Sequence, residues 1–142
     1  MANDAVHSDP EECCGLILGD DALRFRHVYR CHNDMTARHN EDPIRFPRDN
    51  RAGFYMRDAD IDRAQREAAR SGLRVTAVYH SHVGAGAYLS ETDLEYAEHG
   101  FSRFPGADWI VLDVFGRSVR RVALFRAGTD GFRGHRVESL TS

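Results

Sequence analysis

The chain has 142 residues, of which 42% are hydrophobic and 29% charged, so it can bury one sizeable core but has little room for a second domain. Its 22 acidic and 19 basic residues give a net charge of -3 without long runs of either sign, which argues against nucleic acid as the main partner. The sequence shows no secretory leader and no apolar run near the ~20 residues of a membrane span. We therefore expect a single domain over residues 1–142 that is cytoplasmic and has no membrane partner.

The first thirty residues contain signals for a short helix and a hairpin. The polar segment 2–9 can form a helix before Pro10. The apolar run 14–18 is closed by Gly19, Asp20 and Asp21, as a strand entering a turn would be. Segment 23–29 then alternates apolar and basic residues, which is typical of a half-buried strand. These two segments predict a β-hairpin.

The middle of the chain changes from irregular to regular at about residue 58. Residues 31–49 are polar, with two prolines around a short candidate edge strand at 44–46. Asp58 stands where an N-cap is expected, and Gly72 follows the end of the periodic segment. The apolar face of this predicted helix consists of Ile61, Ala64 and Ala68. This is the strongest helix signal in the sequence.

The second half adds three predicted strands and a second helix. Segment 73–79 is rich in valine and alanine and predicts a buried strand. Segment 90–97 predicts a helix, and segments 109–115 and 119–125 predict a hairpin that turns at Gly116. Strands and helices interleave without a strict βαβ rhythm. The predicted fold class is therefore α/β, with a mixed β-sheet flanked by helices.

A histidine pair at the end of the third predicted strand carries the strongest chemical signal. If the strand continues through His82, residues two apart project to the same face, so His80 and His82 can converge on one point while Ser81 faces away. Seven residues later, Ser90 and Asp93 fall in the first turn of the next helix, which returns a carboxylate toward the strand end. Two imidazoles and one carboxylate leave a fourth tetrahedral position open, as catalytic zinc requires.

Each part of this pattern also has a simpler interpretation. A histidine pair at a strand end is often only a surface or polar-core feature. The spacing of Ser90 and Asp93 is that of an N-cap followed by a first-turn acid, which satisfies helix N–H groups without a metal. Cys13 and Cys14 suggest a thiol nucleophile, but their apolar neighbours favour inert buried thiols. The combination of histidine pair, glycine-rich connector and acid favours a metal site.

These residues resemble the signature of the JAMM (MPN+, Mov34/MPN/PAD-1) zinc metalloproteases. The likeness is carried by His80-x-His82, seven residues, Ser90-x-x-Asp93, and an acidic segment near the start that ends in Gly15. It extends from about Pro10 to Phe125. The resemblance implies a cytidine-deaminase-like α/β fold, a zinc ion held by His80, His82 and Asp93, and hydrolysis of peptide or isopeptide bonds.

The same resemblance assigns two further roles. Glu11 and Glu12 are adjacent, and the spelling Glu12-Cys13-Cys14-Gly15 matches the bacterial form of the family, which implies Glu12 as the general acid/base. Glu12 would take the proton of the attacking water and return it to the departing amine. The hydroxyl of Ser90 would help to hold the developing oxyanion.

Departures from the usual family pattern point to the substrate. Val83 and Leu89 stand where the family often has proline, and only residues 1–9 precede the acidic segment, which predicts a short sheet edge or an upstream start. Small bacterial members share these features more than deubiquitinases do. The resemblance therefore implies a substrate such as the C-terminal tail of a ubiquitin-like sulfur carrier. The alternative is a non-catalytic MPN-type interaction scaffold; the oligomeric state is left open.

Overall fold

The computed structural model describes residues 1–95, 103–126 and 137–140. The helices are α1 (Ala2–Ser8), α2 (Met35–Glu41), α3 (Asp58–Arg70) and α4 (Glu91–Glu95). The strands are β1 (Cys14–Gly19), β2 (His27–Cys31), β3 (Arg74–Val83), β4 (Asp108–Phe115), β5 (Ser118–Phe125) and β6 (Val137–Leu140). Within the described part of the chain, no helix combines the length and apolar character that crossing a bilayer requires.

The strands form one six-stranded sheet in the order β2-β1-β3-β4-β5-β6. The β3–β4 pair is parallel and the other neighbouring pairs are antiparallel. This mixed sheet with flanking helices confirms the predicted α/β class. Because β3 lies between β1 and β4, hydrogen-bonded ladders hold it on both sides. The strand that carries the histidine pair is thus among the most constrained parts of the fold.

The two faces of the sheet are packed differently. On one face, the buried side of α3 covers β3, as the predicted apolar stripe of Ile61, Ala64 and Ala68 requires. On the other face, Gly15 lies against the ring of Tyr79, where even one added carbon would come within 2.4 Å of that ring. The Tyr79 hydroxyl then donates to Asp4 of α1 at 2.8 Å. Alternation along β3 therefore directs Tyr79 to the α1 face and His80 to the α3 face.

Two predictions for the middle of the chain are wrong. Residues 44–46 form a turn rather than an edge strand, and the side chain of Ile44 is 92% exposed. The Asp42 carboxylate accepts the backbone N–H of Arg45 at 3.0 Å, which stabilises the turn locally. Helix α2 was not predicted, because only Met35 on it is buried and it therefore shows no apolar stripe.

Two element boundaries also differ from the prediction. Strand β2 begins at His27 rather than at residue 23, because the Asp20 carboxylate accepts the N–H of Leu23 and extends the turn. The N-cap of α3 is Arg57, not Asp58, and no side chain caps it. Asp58 instead is the first helical residue, where its charge suits the helix dipole. Positions 96 and 97 of the predicted second helix lie outside the described residues.

Candidate metal centre

The ladder of β3 brings the two histidines together. Cys14 of β1 lies opposite His80, and Asp113 of β4 lies opposite His82. Both imidazoles are buried, with exposures of 0% and 7%. Between them Ser81 projects to the opposite face, where its hydroxyl accepts the N–H of Cys13 at 2.7 Å. The predicted convergence of the histidine pair is thus present in the fold.

Asp93 enters the site from the beginning of α4. The Asp93 N–H donates to the Ser90 hydroxyl at 3.1 Å, and the Ser90 N–H donates to Asp93 Oδ2 at 2.9 Å. This reciprocal pair is a capping arrangement, so the simpler interpretation of these residues describes a real contact. Capping does not exclude a chemical role, however, because the same Asp93 oxygen faces both imidazoles.

Three ligand-type atoms form a small triangle. The Nε2 atoms of His80 and His82 are 3.1 Å apart, and Asp93 Oδ2 lies 3.1 Å from the first and 3.2 Å from the second. Tetrahedral ligands at zinc distances of about 2.0–2.1 Å are separated by about 3.3 Å. The triangle therefore has nearly the dimensions of one face of a zinc coordination tetrahedron, and the donor types suit that ion.

Glu12 lies beside this triangle and Glu11 does not. Glu12 Oε1 is 3.9 Å from His82 Nε2, whereas Glu11 is exposed and its carboxylate lies 3.5 Å from the Asn50 amide. Glu12, His80 and His82 form a buried group whose ligand atoms all lie within 4.8 Å of one another, so this group can bind a metal ion. Asp93 Oδ2 lies 3.1 and 3.2 Å from the two histidine Nε2 atoms, whereas Glu12 Oε1 lies 3.9 Å from His82 Nε2.

The electrostatics separate the two carboxylates. Burial raises the pKa of Glu12 from 4.5 to about 8, although the nearby His82 opposes the shift. Its Oε2 atom is buried and has no hydrogen-bond partner among the described residues. Burial disfavours the charged form of Asp93 too, but His80, His82 and the Ser90 N–H together hold its pKa well below the ordinary value. One site thus contains a proton-holding carboxyl and an ionised carboxylate.

The two histidines also differ. Complete burial lowers the pKa of His80 despite the attraction of Asp93, so its imidazole is neutral at pH 7. Burial also disfavours the charged form of His82, but contacts with Asp93 and Glu12 outweigh it and raise the pKa. Neutral imidazole and ionised carboxylate are the forms that bind metal. Metal binding at this site would therefore compete with protonation of His82.

The Asp113 carboxylate helps to orient His82 through the backbone of Gly86. The ring atom Nδ1 lies 2.9 Å from the carbonyl oxygen of Gly86, and the Gly86 N–H donates to Asp113 Oδ1 at 3.1 Å. Because a carbonyl oxygen only accepts, Nδ1 carries the hydrogen and the lone pair of Nε2 faces the triangle in the neutral ring. Asp113 was not predicted as a site residue from the sequence. Its signal was the acid that interrupts the apolar run of β4, where a buried charge needs a partner.

Asn33 holds the segment that carries Glu12. Its side-chain amide donates to the carbonyl oxygens of Glu12 and Gly53, both at 3.0 Å, and its side-chain oxygen accepts the N–H of Tyr55 at 3.0 Å. Asn33 thereby connects the segment just before β1 to the loop that precedes α3. The ring of Phe54 in that loop stacks on His80 with centroids 4.4 Å apart.

A cavity of about 740 Å³ opens onto these groups. Its lining includes Glu12, His82 and Asp93, together with Val83 at the end of β3 and Ala85 and Tyr88 of the glycine-containing loop that follows. Most residues of segment 45–55 also line it, among them Arg45, Arg48 and Arg51, which were not predicted as site residues. The Tyr88 ring lies 5.0 Å from that of His82. This space is large enough to receive an extended polypeptide end.

The three cysteines are free thiols of low reactivity. All three are free, and burial raises the pKa of Cys13 and of Cys31 to about 12 and that of Cys14 well above its ordinary value. The thiolate is the nucleophilic form, so these thiols are unreactive at pH 7. The geometry favours the interpretation of Cys13 and Cys14 as buried structural residues.

Residues 1–125 match the family model of prokaryotic homologs of the JAB domain. The chain belongs to this family. The resemblance inferred from the histidine and acidic segments is thereby confirmed. No curated protein matches the chain.

Two solution structures are similar to this JAB-domain homolog. One is a protein from Desulfitobacterium hafniense with 18% identity and a TM-score of 0.64, and the match covers 99% of this chain and 83% of that one. The other is a protein from Salinibacter ruber with 25% identity and a TM-score of 0.60, and the match covers 99% and 81%. These likenesses concern the fold.

Proposed function

We propose that this JAB-domain homolog is a zinc-dependent peptidase that hydrolyses an amide bond at the C-terminus of a ubiquitin-like, sulfur-carrier type protein. The observation that carries the proposal is the triangle of His80, His82 and Asp93, with edges of 3.1–3.2 Å beside a buried carboxyl group. Three protein ligands with a position left open are typical of catalytic zinc, whereas structural zinc is closed by four. We assign zinc to this triangle rather than to the wider group that contains Glu12.

The residues around the triangle support distinct roles. Zinc, when bound, supplies a water of lowered pKa near neutrality and polarises the scissile carbonyl. Glu12 takes the proton of the attacking water and returns it to the departing amine, a role that its position beside the triangle supports, since Glu12 Oε1 lies 3.9 Å from His82 Nε2. The Ser90 hydroxyl accepts from the Asp93 N–H and still has its own hydrogen to donate to the oxyanion.

The substrate proposal rests on the open cavity and on the residues that depart from the family pattern. A flexible C-terminal tail can lie in the cavity as an extended chain, while a folded carrier remains outside. We further propose that the protein acts in the cytoplasm, where free thiols such as its three cysteines stay reduced.

The test uses sulfur carriers bearing different C-terminal extensions. We expect the zinc-loaded protein to remove the extension, as read by intact mass, and a chelator to stop the reaction. Glu12→Gln should lower turnover by about 10²–10⁴-fold while one zinc per chain remains bound. Glu11→Gln is the matched control and should leave turnover unchanged, because Glu11 is exposed beside Asn50.

Two results would contradict the proposal. If the zinc-loaded protein cleaves no carrier yet binds one tightly, it acts as a non-catalytic scaffold. A Glu12→Gln protein that is empty of metal would make Glu12 a ligand and transfer the acid/base role to another group.

A further inference from the structure

The two histidines of the triangle are oriented by different kinds of contact. At His82, Nδ1 lies 2.9 Å from the carbonyl oxygen of Gly86, so a hydrogen bond fixes the plane of the ring. At His80, Nδ1 is buried and has no hydrogen-bond partner among the described residues. Histidines that bind metals almost always donate this second ring N–H to an acceptor. Another kind of contact must therefore hold the ring of His80.

Two aromatic rings enclose the His80 imidazole. The ring of Phe54 stacks on it, with centroids 4.4 Å apart and planes inclined by 23°. The indole of Trp109 meets it edge to face, with centroids 5.9 Å apart and planes at 74°. All three side chains are buried. Because protein interiors are densely packed, the imidazole cannot tilt about its Cβ–Cγ bond without meeting one of these rings.

The stack on Phe54 therefore defines the plane in which the donor atom of His80 lies. His80 Nε2 is 3.1 Å from His82 Nε2 and 3.1 Å from Asp93 Oδ2. The stack sets the plane of the ring, and the contact with Asp93 decides which edge of the ring faces the triangle. The face of a phenyl ring also carries partial negative charge. An imidazole that coordinates a cation gains positive character, so the stack favours the metal-bound form.

Phe54 is itself held by its neighbours in the loop before α3. The Asn33 side chain donates its amide to the carbonyl oxygen of Gly53 and accepts the N–H of Tyr55, both at 3.0 Å. These two bonds fix the backbone on both sides of Phe54. The same amide also donates to the carbonyl oxygen of Glu12 at 3.0 Å. The ring that supports His80 and the proposed acid/base thus share one anchor.

We propose that Phe54 is a positioning residue of the metal centre, whose ring holds the His80 imidazole in the orientation that a hydrogen bond secures at His82. This inference rests on the zinc triangle of the proposed function and deepens it, because it assigns the orientation of one ligand to a residue outside the triangle. The role of Phe54 is to fix a plane. A flat ring is therefore needed at this position, and apolar volume alone is not sufficient.

The first test separates the ring of Phe54 from its apolar volume. Phe54→Leu keeps an apolar side chain but removes the flat face, whereas Phe54→Tyr keeps the face. Zinc affinity is measured in competition with a chromophoric chelator. We expect it to fall by about 10–100-fold in Phe54→Leu, the usual cost of losing support of a metal ligand, and to stay near the wild-type value in Phe54→Tyr. Equal affinity in Phe54→Leu and wild type would overturn the inference.

Phe104→Leu is the matched control. Phe104 belongs to the same core cluster and has the same exposure of 5%, but it lines a different cavity, of about 270 Å³, beside the C-terminal end of α3. The same change there removes the same volume from the core, so the general loss of stability should be similar. We expect Phe104→Leu to keep zinc affinity near the wild-type value. An equal loss of zinc affinity in both leucine variants would make the effect one of core packing and would overturn the inference.

Cobalt(II) in place of zinc gives a readout that core packing alone would not move. The visible absorption of this ion depends on the arrangement of its ligands. We expect the bands to change in position and intensity in Phe54→Leu, to be recovered in Phe54→Tyr and to be retained in Phe104→Leu. Identical spectra in all three variants would mean that His80 keeps its orientation without the ring, which contradicts the proposed role.

A measurement on metal-free protein distinguishes this inference from the proposed function. In the nuclear magnetic resonance spectrum, the stack should shift the carbon-bound ring protons of His80 upfield, because protons above an aromatic face are shielded. We expect Phe54→Leu to lose this shift and Phe104→Leu to keep it. Absence of the shift in the wild type would overturn the inference even if Phe54→Leu fails to fold.

The two proposals can then fail separately. If the upfield shift and the loss of zinc affinity in Phe54→Leu are both found, but the zinc-loaded wild type cleaves no carrier, the peptidase proposal fails and the positioning role of Phe54 stands. If the wild type cleaves a carrier and Phe54→Leu matches it in zinc affinity and cleavage, the inference fails alone.

Discussion

The proposed metal ligands and the loop before α3 are built in opposite ways. His80 and His82 lie on a central strand with neighbours on both sides, and Asp93 is buried at a capped helix start. We call these three residues the ligand side. Segment 45–55 of the loop also lines the cavity, but it is irregular, and its Arg45, Arg48 and Arg51 are exposed. The ligand side is fixed by backbone ladders and burial, and the loop by a few side-chain contacts to its N–H groups.

This difference separates chemistry from selectivity. Metal coordination needs donor atoms held to within a few tenths of an ångström, which strands provide and loops rarely do. Contacts with a substrate chain tolerate more movement, because long exposed side chains can follow their ligand. We therefore expect changes on the ligand side to abolish activity, and changes in the loop to have smaller effects.

The largest effect is expected from Asp93→Ala. Removal of this carboxylate takes away one corner of the triangle and leaves His80 and His82, with Glu12 Oε1 farther away at 3.9 Å from His82 Nε2. We expect zinc content well below one per chain and turnover at background, measured by elemental analysis and carrier cleavage. Glu91→Ala, which removes an exposed acid of the same helix, should retain both. An Asp93→Ala protein with stoichiometric zinc and full activity would break the comparison, because the ligand side would then lie elsewhere.

Ser90→Ala should have the next largest effect. It removes a hydroxyl that accepts the Asp93 N–H and, as proposed, donates to the oxyanion. We expect kcat to fall by about 10²–10³-fold, as for loss of one oxyanion donor. Loss of the cap should also cost about 1 kcal/mol of unfolding free energy.

Ser90→Thr distinguishes the two roles of that hydroxyl. It should recover most of both quantities, because threonine keeps the hydroxyl. If Ser90→Ala lowers stability but leaves kcat unchanged, Ser90 is a cap alone and the ligand side lacks its proposed donor.

The ligand side was predictable from sequence for a physical reason. Alternation along a strand places His80 and His82 on one face whatever surrounds them, and the spacing of Ser90 and Asp93 fixes a first helical turn. Both are local rules. The choice of Glu12 over Glu11 was not local, since only the pairing of β1 with β3 decides which of two adjacent acids lies beside His82.

The loop side was poorly predictable for the opposite reason. Segment 44–46 has the composition of a strand, but the Asp42 carboxylate accepts the N–H of Arg45 and stabilises a turn, and Ile44 remains exposed. The sequence gives no sign that Arg45, Arg48 and Arg51 line a cavity, because exposed arginines in a loop are usually only solvated charges. Asp113 was missed in the same way, because its partner Gly86 is 27 residues away along the chain.

Asp113→Ala sharpens the comparison, because it weakens the ligand side without touching a proposed ligand. It removes the acceptor of the Gly86 N–H, whose carbonyl oxygen holds His82 in the metal-binding tautomer. We expect zinc affinity to fall by about 10–100-fold, the usual cost of losing such support. Arg120→Gln is the control: it removes the exposed partner that lies 3.4 Å from Asp113 and should change affinity little. Equal affinity in Asp113→Ala and wild type would show that β3 alone orients His82.

The smallest effect concerns Glu12, which lies beside the ligand side, and it is measured in metal-free protein. Burial raises the pKa of Glu12 from 4.5 to about 8, so the folded state holds the proton more tightly than the unfolded chain. The stability from this group is complete below about pH 4.5 and is lost as the pH rises through 8. Glu12→Gln cannot ionise, so its unfolding free energy should exceed that of wild type by about 1–3 kcal/mol at pH 8 and by much less at pH 5. Urea unfolding at the two pH values measures the difference. A constant difference would mean that water from the cavity already solvates the carboxylate, and that Glu12 resembles the exposed loop rather than the buried ligand side.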